Sequence, residues 1–337
     1  MIRLALLRIL GALPNLLGVI VITFLLTRAL PGDPAAYFAG QAASDEAIAQ
    51  IRAKLGLDRP LPEQFLAYLA DLARGELGQS LSTGQSVSAE IASRLPASVE
   101  LTLVALVLAV AVSLPLGVAA AVRQGSWIDQ AARLVTTAGV SLPVFFTGLL
   151  LTWLFYFVLG WAPSPIGRLD PSYVAPATVT GFYLVDALLE RDLELWWACA
   201  KQLALPAVTM ALFVLAPITR MTRASMLAVL SSDFVRTARA LGLRSPTVLV
   251  RYALRNALLP VVTTLGMVFS FLLGSNVLVE KVFAWPGIGS FAIESLTASD
   301  YAPVQGFVLT MGVLYVVLNL LIDLAYLMID PRVAIQD

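Results

Sequence analysis

Long stretches without a single Asp, Glu, Lys or Arg organise this chain. They are Ile9–Thr27, Leu101–Val122, Leu134–Gly167, Gln202–Thr219, Asn256–Val279 and Tyr301–Ile322. A bilayer core about 30 Å thick is crossed by roughly 20 apolar helical residues. The pattern therefore predicts an all-α membrane protein with about six transmembrane helices, at about 9–30, 99–122, 134–160, 202–219, 256–280 and 303–327. The third run is too long for one helix and is expected to leave the membrane at Trp161-Ala162-Pro163-Ser164-Pro165. Prolines there cannot continue a helix, and Trp favours the membrane interface. A further apolar patch, Tyr173–Val185, contains Pro176 and Gly181 and reads as interfacial or as a lid, not as a seventh span. The fourth span is the weakest, bracketed by Pro206 and Pro217. Arg3 and Arg8 precede the first run, which exceeds the usual signal core of about 7–15 residues, so an uncleaved first span is expected.

Lys and Arg in the short loops set the orientation. With the N-terminus inside, the inner segments hold Arg3, Arg8, Arg123, Arg133, seven arginines from Arg220 to Arg255, and Arg332. The outer segments 168–201 and 280–300 hold only Arg168, Arg191, Lys201 and Lys281. Both termini are expected to be cytoplasmic. The formal net charge of zero is then a cancellation: the inner side has 12 basic residues against 5 acidic, and the outer side 10 against 17.

Composition closes several routes to chemistry. Hydrophobic residues make up 59% and charged residues 13%, against about 25% charged in soluble domains. Zero net charge argues against a nucleic-acid partner. The chain has no His, which removes His-ligated zinc and Ser-His-Asp triads, and the lone Cys199 cannot form an internal disulfide. Lys54, Lys201 and Lys281 follow Ala, Ala and Glu, so no GxxxxGK[ST] phosphate loop exists.

Two extramembrane stretches exceed what a connection needs. The outer one, about 31–95, opens with a Pro-Gly-Asp-Pro turn at Pro31–Pro34. It continues with Ile48, Ile51 and Leu55, then Phe65, Tyr68, Leu69 and Leu72, at helical spacing. It reads as a small outer subdomain, either a docking or gating surface or a spacer on the membrane. The inner one, about 220–255, carries seven arginines opposed only by Asp233. Ser231-Ser232-Asp233 is an N-cap cluster and Gly242 a helix stop, and Phe234, Val235, Ala238 and Leu241 share one face. Ser245-Pro246 starts another helix that runs through Leu249, Arg251 and Arg255 into the fifth span. Such a helix is a lever on spans four and five; the plain alternative is basic charge meeting anionic lipid heads.

At these residues the chain resembles a membrane permease subunit of ATP-binding-cassette importers, in the dipeptide/oligopeptide/nickel permease family, first-permease type. Asp233, Phe234, Val235, Arg236, Thr237, Ala238, Arg239, Ala240, Leu241, Gly242 and Leu243, followed by Ala253–Val261, resemble that family's version of the Glu-Ala-Ala loop. Arg236-Thr237-Ala238 stands where the general motif has Glu-Ala-Ala, and Gly242 to Pro260 is longer. Leu30–Pro34, Leu55–Leu61, Gly75–Ser80, Glu280–Gly289, Asn319–Asp323 and Asp330–Arg332 resemble the family in the same order.

The resemblance implies the type I importer permease architecture in a bacterial inner membrane. It implies a second homologous permease as heterodimer partner, two ATPase subunits and an extracytoplasmic binding protein. ATP and Mg would be bound by the ATPases, with no cofactor in this chain, and residues 233–243 would dock into an ATPase groove. Peptide is the implied substrate, with nickel, glutathione or opine-like solutes as alternatives. Candidate pathway or gate residues are Asp323, which is one turn after Asn319, and Asn276 and Glu280 at the outer end of the fifth span. Asp323 reads as a structural pair or a substrate contact. Asn276 and Glu280 read as a gate, a binding-protein contact, or packing against the partner permease. An ion-gradient-driven transporter would typically carry ionisable groups at midspan in several helices, and these span centres lack them.

Overall fold

The computed structural model describes the backbone of residues 2–29, 35, 44–54, 56–298 and 300–329, with side chains over 11, 13–25, 35, 44–53, 56–274, 276–298 and 300–322. Leu55, the Pro31–Pro34 turn and the Asp323 side chain lie outside these. The elements are α1 (Ile2–Ala29), α2 (Asp45–Lys54), α3 (Leu61–Ala73), α4 (Val87–Val122), α5 (Trp127–Ser141) and α6 (Val144–Leu151), the last continuing as a π-helical stretch Thr152–Val158. Then follow α7 (Tyr183–Leu189), α8 (Leu193–Leu230), α9 (Asp233–Ala240) and α10 (Ser245–Thr247). A π-helical stretch Val248–Leu254 leads from α10 into α11 (Arg255–Val282), followed by α12 (Ile288–Thr297) and α13 (Tyr301–Ile329). The protein is an all-α, multi-pass membrane protein.

Among the described residues, four helices are long and apolar enough to cross a bilayer: Val87–Val122, Leu193–Leu230, Ser245–Gly274 and Tyr301–Ile322. The expected six spans are not all seen among the described residues. The stretch expected as one span at 134–160 is instead the pair α5 and α6, bent by 102°. Pro143 is the reason. It disfavours helical backbone in the residue before it, and Leu142 is extended at φ −111°, ψ 144°. Counting the pair as one span gives five. The 28-residue α1 shows only Leu13–Leu25 as its apolar stretch among described side chains. Pro206 and Pro217 do not bound the fourth span but lie inside the 38-residue α8; neighbouring helices and local adjustments make such prolines tolerable in membrane helices.

The chain divides into two compact units. In the larger (residues 1–9, 96–286 and 317–337), α8 is the central element, packed against α5, α6, α7 and α11. One stripe of α4 (Ala97, Leu101, Ala105, Ala109) faces Leu203, Ala207, Met210 and Val214 of α8 and Val261, Val268 and Leu272 of α11 in a single core. The four-residue repeat on α4 is the helical period for one face. Its small residues permit close helix approach, which in a bilayer replaces the hydrophobic drive as a source of association. Gly117, further along α4, is one such point: a Cβ there would stand 2.6 Å from Thr222 Cβ and 2.9 Å from the Thr219 carbonyl oxygen.

The smaller unit (residues 10–95 and 287–316) holds the outer helices. Ile48 and Ile51 of the first helix-spaced run lie in α2, and the run from Phe65 to Leu72 lies in α3. Phe65 meets Phe24 of α1 edge-on at 5.2 Å between ring centroids, and Tyr68 stacks on it at 5.7 Å. Val87, Ile91, Ile288 and Phe291 form the unit's apolar centre. Asp300 fastens the loop after α3: its Oδ2 accepts from Ser80 Oγ and Leu81 N at 2.7 Å, and from Ser82 N and Oγ at 3.0 Å.

Replacing Gly117 by Ala should lower the stability of the purified protein by about 1–3 kcal/mol, the range for overpacking, because the atoms it meets include main chain. Gly18, inside α1 with nothing within 4 Å of a built Cβ, is the control: Gly18→Ala should hold or slightly raise the thermal midpoint, because Ala is favoured over Gly in a helix. Equal midpoints for the two variants would contradict this packing.

Candidate functional site

The best-formed candidate is α9 and its surroundings. Ser232 precedes it with extended backbone (φ −72°, ψ 153°) but makes no side-chain cap. Its hydroxyl donates back to the Val229 carbonyl at 2.5 Å, as Ser231 Oγ does to Ala228 O at 2.8 Å. The serine cluster therefore closes the end of α8 rather than opening α9, a correction to the capping expectation. The stop is as expected: Gly242 is left-handed at φ +77°. Its N–H donates to Arg239 O and that of Leu243 to Ala238 O, satisfying carbonyls at the helix end.

The four apolar residues of α9 and its C-terminus divide in two. Val235 is fully buried and Ala238 nearly so, in one cluster with Val248 and the partly buried Val229 and Leu230. Phe234 is 44% exposed and Leu241 76% exposed. One side of α9 is thus bound at once to the end of α8 and to the lead-in of α11. The other presents Phe234 and Leu241, with Arg236, Thr237, Arg239 and Ala240 exposed around them. Arg236 and Asp233 approach to 3.4 Å in a solvated pair, worth little by itself. Gly242 and Leu243 are exposed as well.

Asn276 and Glu280 sit elsewhere, inside the core at the other end of α11. Glu280 is fully buried and its Oε1 accepts from Ser98 Oγ on α4 at 2.5 Å. Asn276 Nδ2 donates to Ser98 O at 3.2 Å and Thr102 Oγ1 at 3.3 Å. Trp285 Nε1 donates to Ala97 O at 2.9 Å. The two residues join α11 to α4 within this chain. The side chain of Asp323 lies outside the described residues.

Next to this layer is a buried ion pair. Arg168 Nη2 lies 2.6 Å from Glu100 Oε2 and donates to Gly181 O at 2.8 Å, while Leu184 N donates to Glu100 Oε1 at 2.8 Å. The guanidinium lies 3.5 Å from the Tyr183 ring centroid. Asp186 fixes the same loop, accepting from Thr180 N and Oγ1 and from Gly181 N. Burial pushes the Asp186 carboxyl upward, but the bonds from Thr180 and Gly181 outweigh it and hold the group below the usual carboxylate range. Nothing local marks the pair, since 68 residues separate Glu100 from Arg168.

The sequence matches two family models. Residues 113–335 match the binding-protein-dependent transport system inner membrane component, and residues 1–102 match the N-terminal region of such components. The chain belongs to this family. Among its relatives, the "Probable D,D-dipeptide transport system permease protein DdpB" of Escherichia coli is 45% identical over 94% of this chain and 93% of its own length. The di/tripeptide transport system permease protein DppB of Pseudomonas aeruginosa is 42% identical over 96% of each chain. The dipeptide transport system permease protein DppB of Alkalihalophilus pseudofirmus is 38% identical over 99% of each. This is accordingly a multi-pass inner-membrane permease subunit, whose role is transport rather than catalysis.

One more feature of the permease bears on α9. Of the seven arginines from Arg220 to Arg255, Arg223 turns inward. Its Nε donates to Oδ1 and its Nη2 to Oδ2 of Asp129, both at 2.7 Å, and Asp129 is fully buried at the start of α5. Gly125 N (3.0 Å) and Arg133 (3.1 Å) complete the carboxylate's partners. Two parallel charge-assisted bonds make a directional clamp of α5 on α8. The 94 residues between the partners hide it from local sequence reading. Arg223→Gln should cost roughly 2–3 kcal/mol in thermal or chaotrope unfolding. That is below the ~3–5 kcal/mol for breaking a fully buried pair, because Arg223 keeps 19% exposure and Arg133 remains. An unchanged unfolding midpoint would rule the clamp out.

Proposed function

We propose that this permease carries peptides through an ATP-driven importer and that α9 is its coupling helix to an ATPase subunit. The observation that carries the reading is the two-sidedness of α9. Val235 and Ala238 anchor it to α8 and α11, while Phe234, Leu241, Arg236 and Arg239 are presented outward. A partner pushing on that outer face displaces the ends of both membrane helices together. ATP-driven closure of two ATPases would tilt α8 and α11 and open the cavity outward, and nucleotide release would return it.

In this reading α1 counts as a span, as does the α5–α6 pair, giving six with both termini and α9 on the cytoplasmic side. The excess of arginine around α9 supports that orientation. The complex comprises this chain, a second homologous permease as its heterodimer partner, two ATPases that bind ATP and Mg, and an extracytoplasmic binding protein. Residues 233–243 are the docking segment. Asn276 and Glu280 act as a structural tie between α11 and α4 rather than as substrate contacts, since both are buried in the chain's own core. Peptide is the substrate because the relatives described above are named for dipeptides or di/tripeptides. Nickel, glutathione and opine-like solutes have no counterpart among them.

Two substitutions test coupling. Leu241 is 76% exposed, so Leu241→Glu should leave membrane insertion and thermal stability intact while reducing ATPase co-purification and abolishing peptide uptake. Gly242 has open space around a built Cβ but a left-handed φ. Gly242→Val therefore acts through backbone strain of about 1–2 kcal/mol, redirecting the exit from α9. It should insert normally yet lose peptide-stimulated ATPase. Normal uptake in both variants would overturn the role given to α9.

A further inference from the structure

Beyond the transport reading, an apolar pocket of about 240 Å³ opens on the larger unit. Its walls are Phe155 from the π-helical end of α6, the Trp161-Ala162-Pro163 turn, and Ala204, Leu205 and Val208 from one face of α8. The turn is held rigidly, because Trp161 N and Ala162 N both donate to Phe155 O, at 2.8 and 3.0 Å. Lys201 is the one charged residue in the lining. It is exposed, no salt bridge among the described residues involves it, and its Nζ lies 5.6 Å from the Trp197 ring centroid.

Position along α8 gives the surroundings. The helix is 38 residues long, well beyond the roughly 20 that cross a bilayer. Lys201 lies about two turns from its start, beside the exposed Trp197 and Trp161. Exposed Trp and a snorkelling Lys are the side chains that sit at headgroup level. Below them the pocket continues as hydrocarbon surface through Ala204, Leu205 and Val208. An apolar slot lined in part by the Lys201 stem, with the exposed ammonium on the Trp197 side, complements a molecule with a hydrocarbon chain and an anionic head. We propose that this pocket is a binding site for an anionic phospholipid, with Lys201 on the phosphate and the slot around an acyl chain.

The test uses the assembled transporter in nanodiscs of equal phosphatidylglycerol and phosphatidylcholine, with retained lipid read by native mass spectrometry after release. Wild type should retain phosphatidylglycerol preferentially. Lys201→Gln should reduce that preference about fivefold, the effect of one basic side chain near an anionic surface, and Lys201→Arg should preserve it. Ala204→Trp, which fills the slot and leaves the cation, should lower retention of both lipids. In a parallel thermal-shift arm, phosphatidylglycerol should stabilise the complex and inorganic phosphate alone should not. Equal retention of the two lipids, an unchanged preference in Lys201→Gln, or stabilisation by phosphate alone would overturn the assignment. So would a side chain of the partner permease or a bound peptide occupying the slot in the assembled complex.

Discussion

Val235 has no exposed surface. It is wedged among Val229, Leu230 and Val248, and this wedge makes α9 an extension of two membrane helices at once. Without it, α9 would be an eight-residue helix on a loop, too short to persist by its own hydrogen bonds, and a push on it would be spent in the loop. With it, rotating α9 means moving the end of α8 and the lead-in of α11 together. Packed interiors have few voids and transmit displacement rather than absorbing it.

The far ends of the same helices are also constrained. Ser98 and Glu280 join α4 to α11, and Glu100 with Arg168 fixes the 168–184 loop to α4. Such buried polar contacts stabilise little compared with a well-packed apolar core, yet losing one partner is costly. They favour helices that move as rigid bodies over helices that unwind locally. The Asp129–Arg223 clamp adds α5 to the set near α9. On the proposed mechanism, α5, α8, α9 and α11 respond to an ATPase as one lever. That is the hinge-and-shear behaviour expected of packed helices.

Much of this was legible in the sequence because it depends on local chemistry. Charge-free runs located the long helices, and the Ser245-Pro246 start and the Gly242 stop around α9 were readable from residue type. Pro143 was readable too, since a proline inside an apolar run restrains its predecessor, yet run length alone concealed the break it makes. Other features depend on tertiary partners. Ser232 had a carbonyl of α8 to bond instead of a cap to make. Glu100 and Asp129 found arginines 68 and 94 residues away. The apolar face of α9 could be drawn from helical spacing, but which half of it faced inward was decided by Val248, beyond the following turn.

On the proposed mechanism α9 moves with α8 and α11 as one body. With the single cysteine, the buried Cys199, replaced by Ala, spin labels at the exposed positions Arg239 and Ala228, or Arg239 and Asn256, report both junctions in the assembled transporter. Pulsed electron–electron resonance distances should keep the same centre and width in the nucleotide-free and ATP-trapped states. A shift or broadening of either distribution on ATP trapping would mean that α9 swings independently of the membrane helices, and would contradict the account.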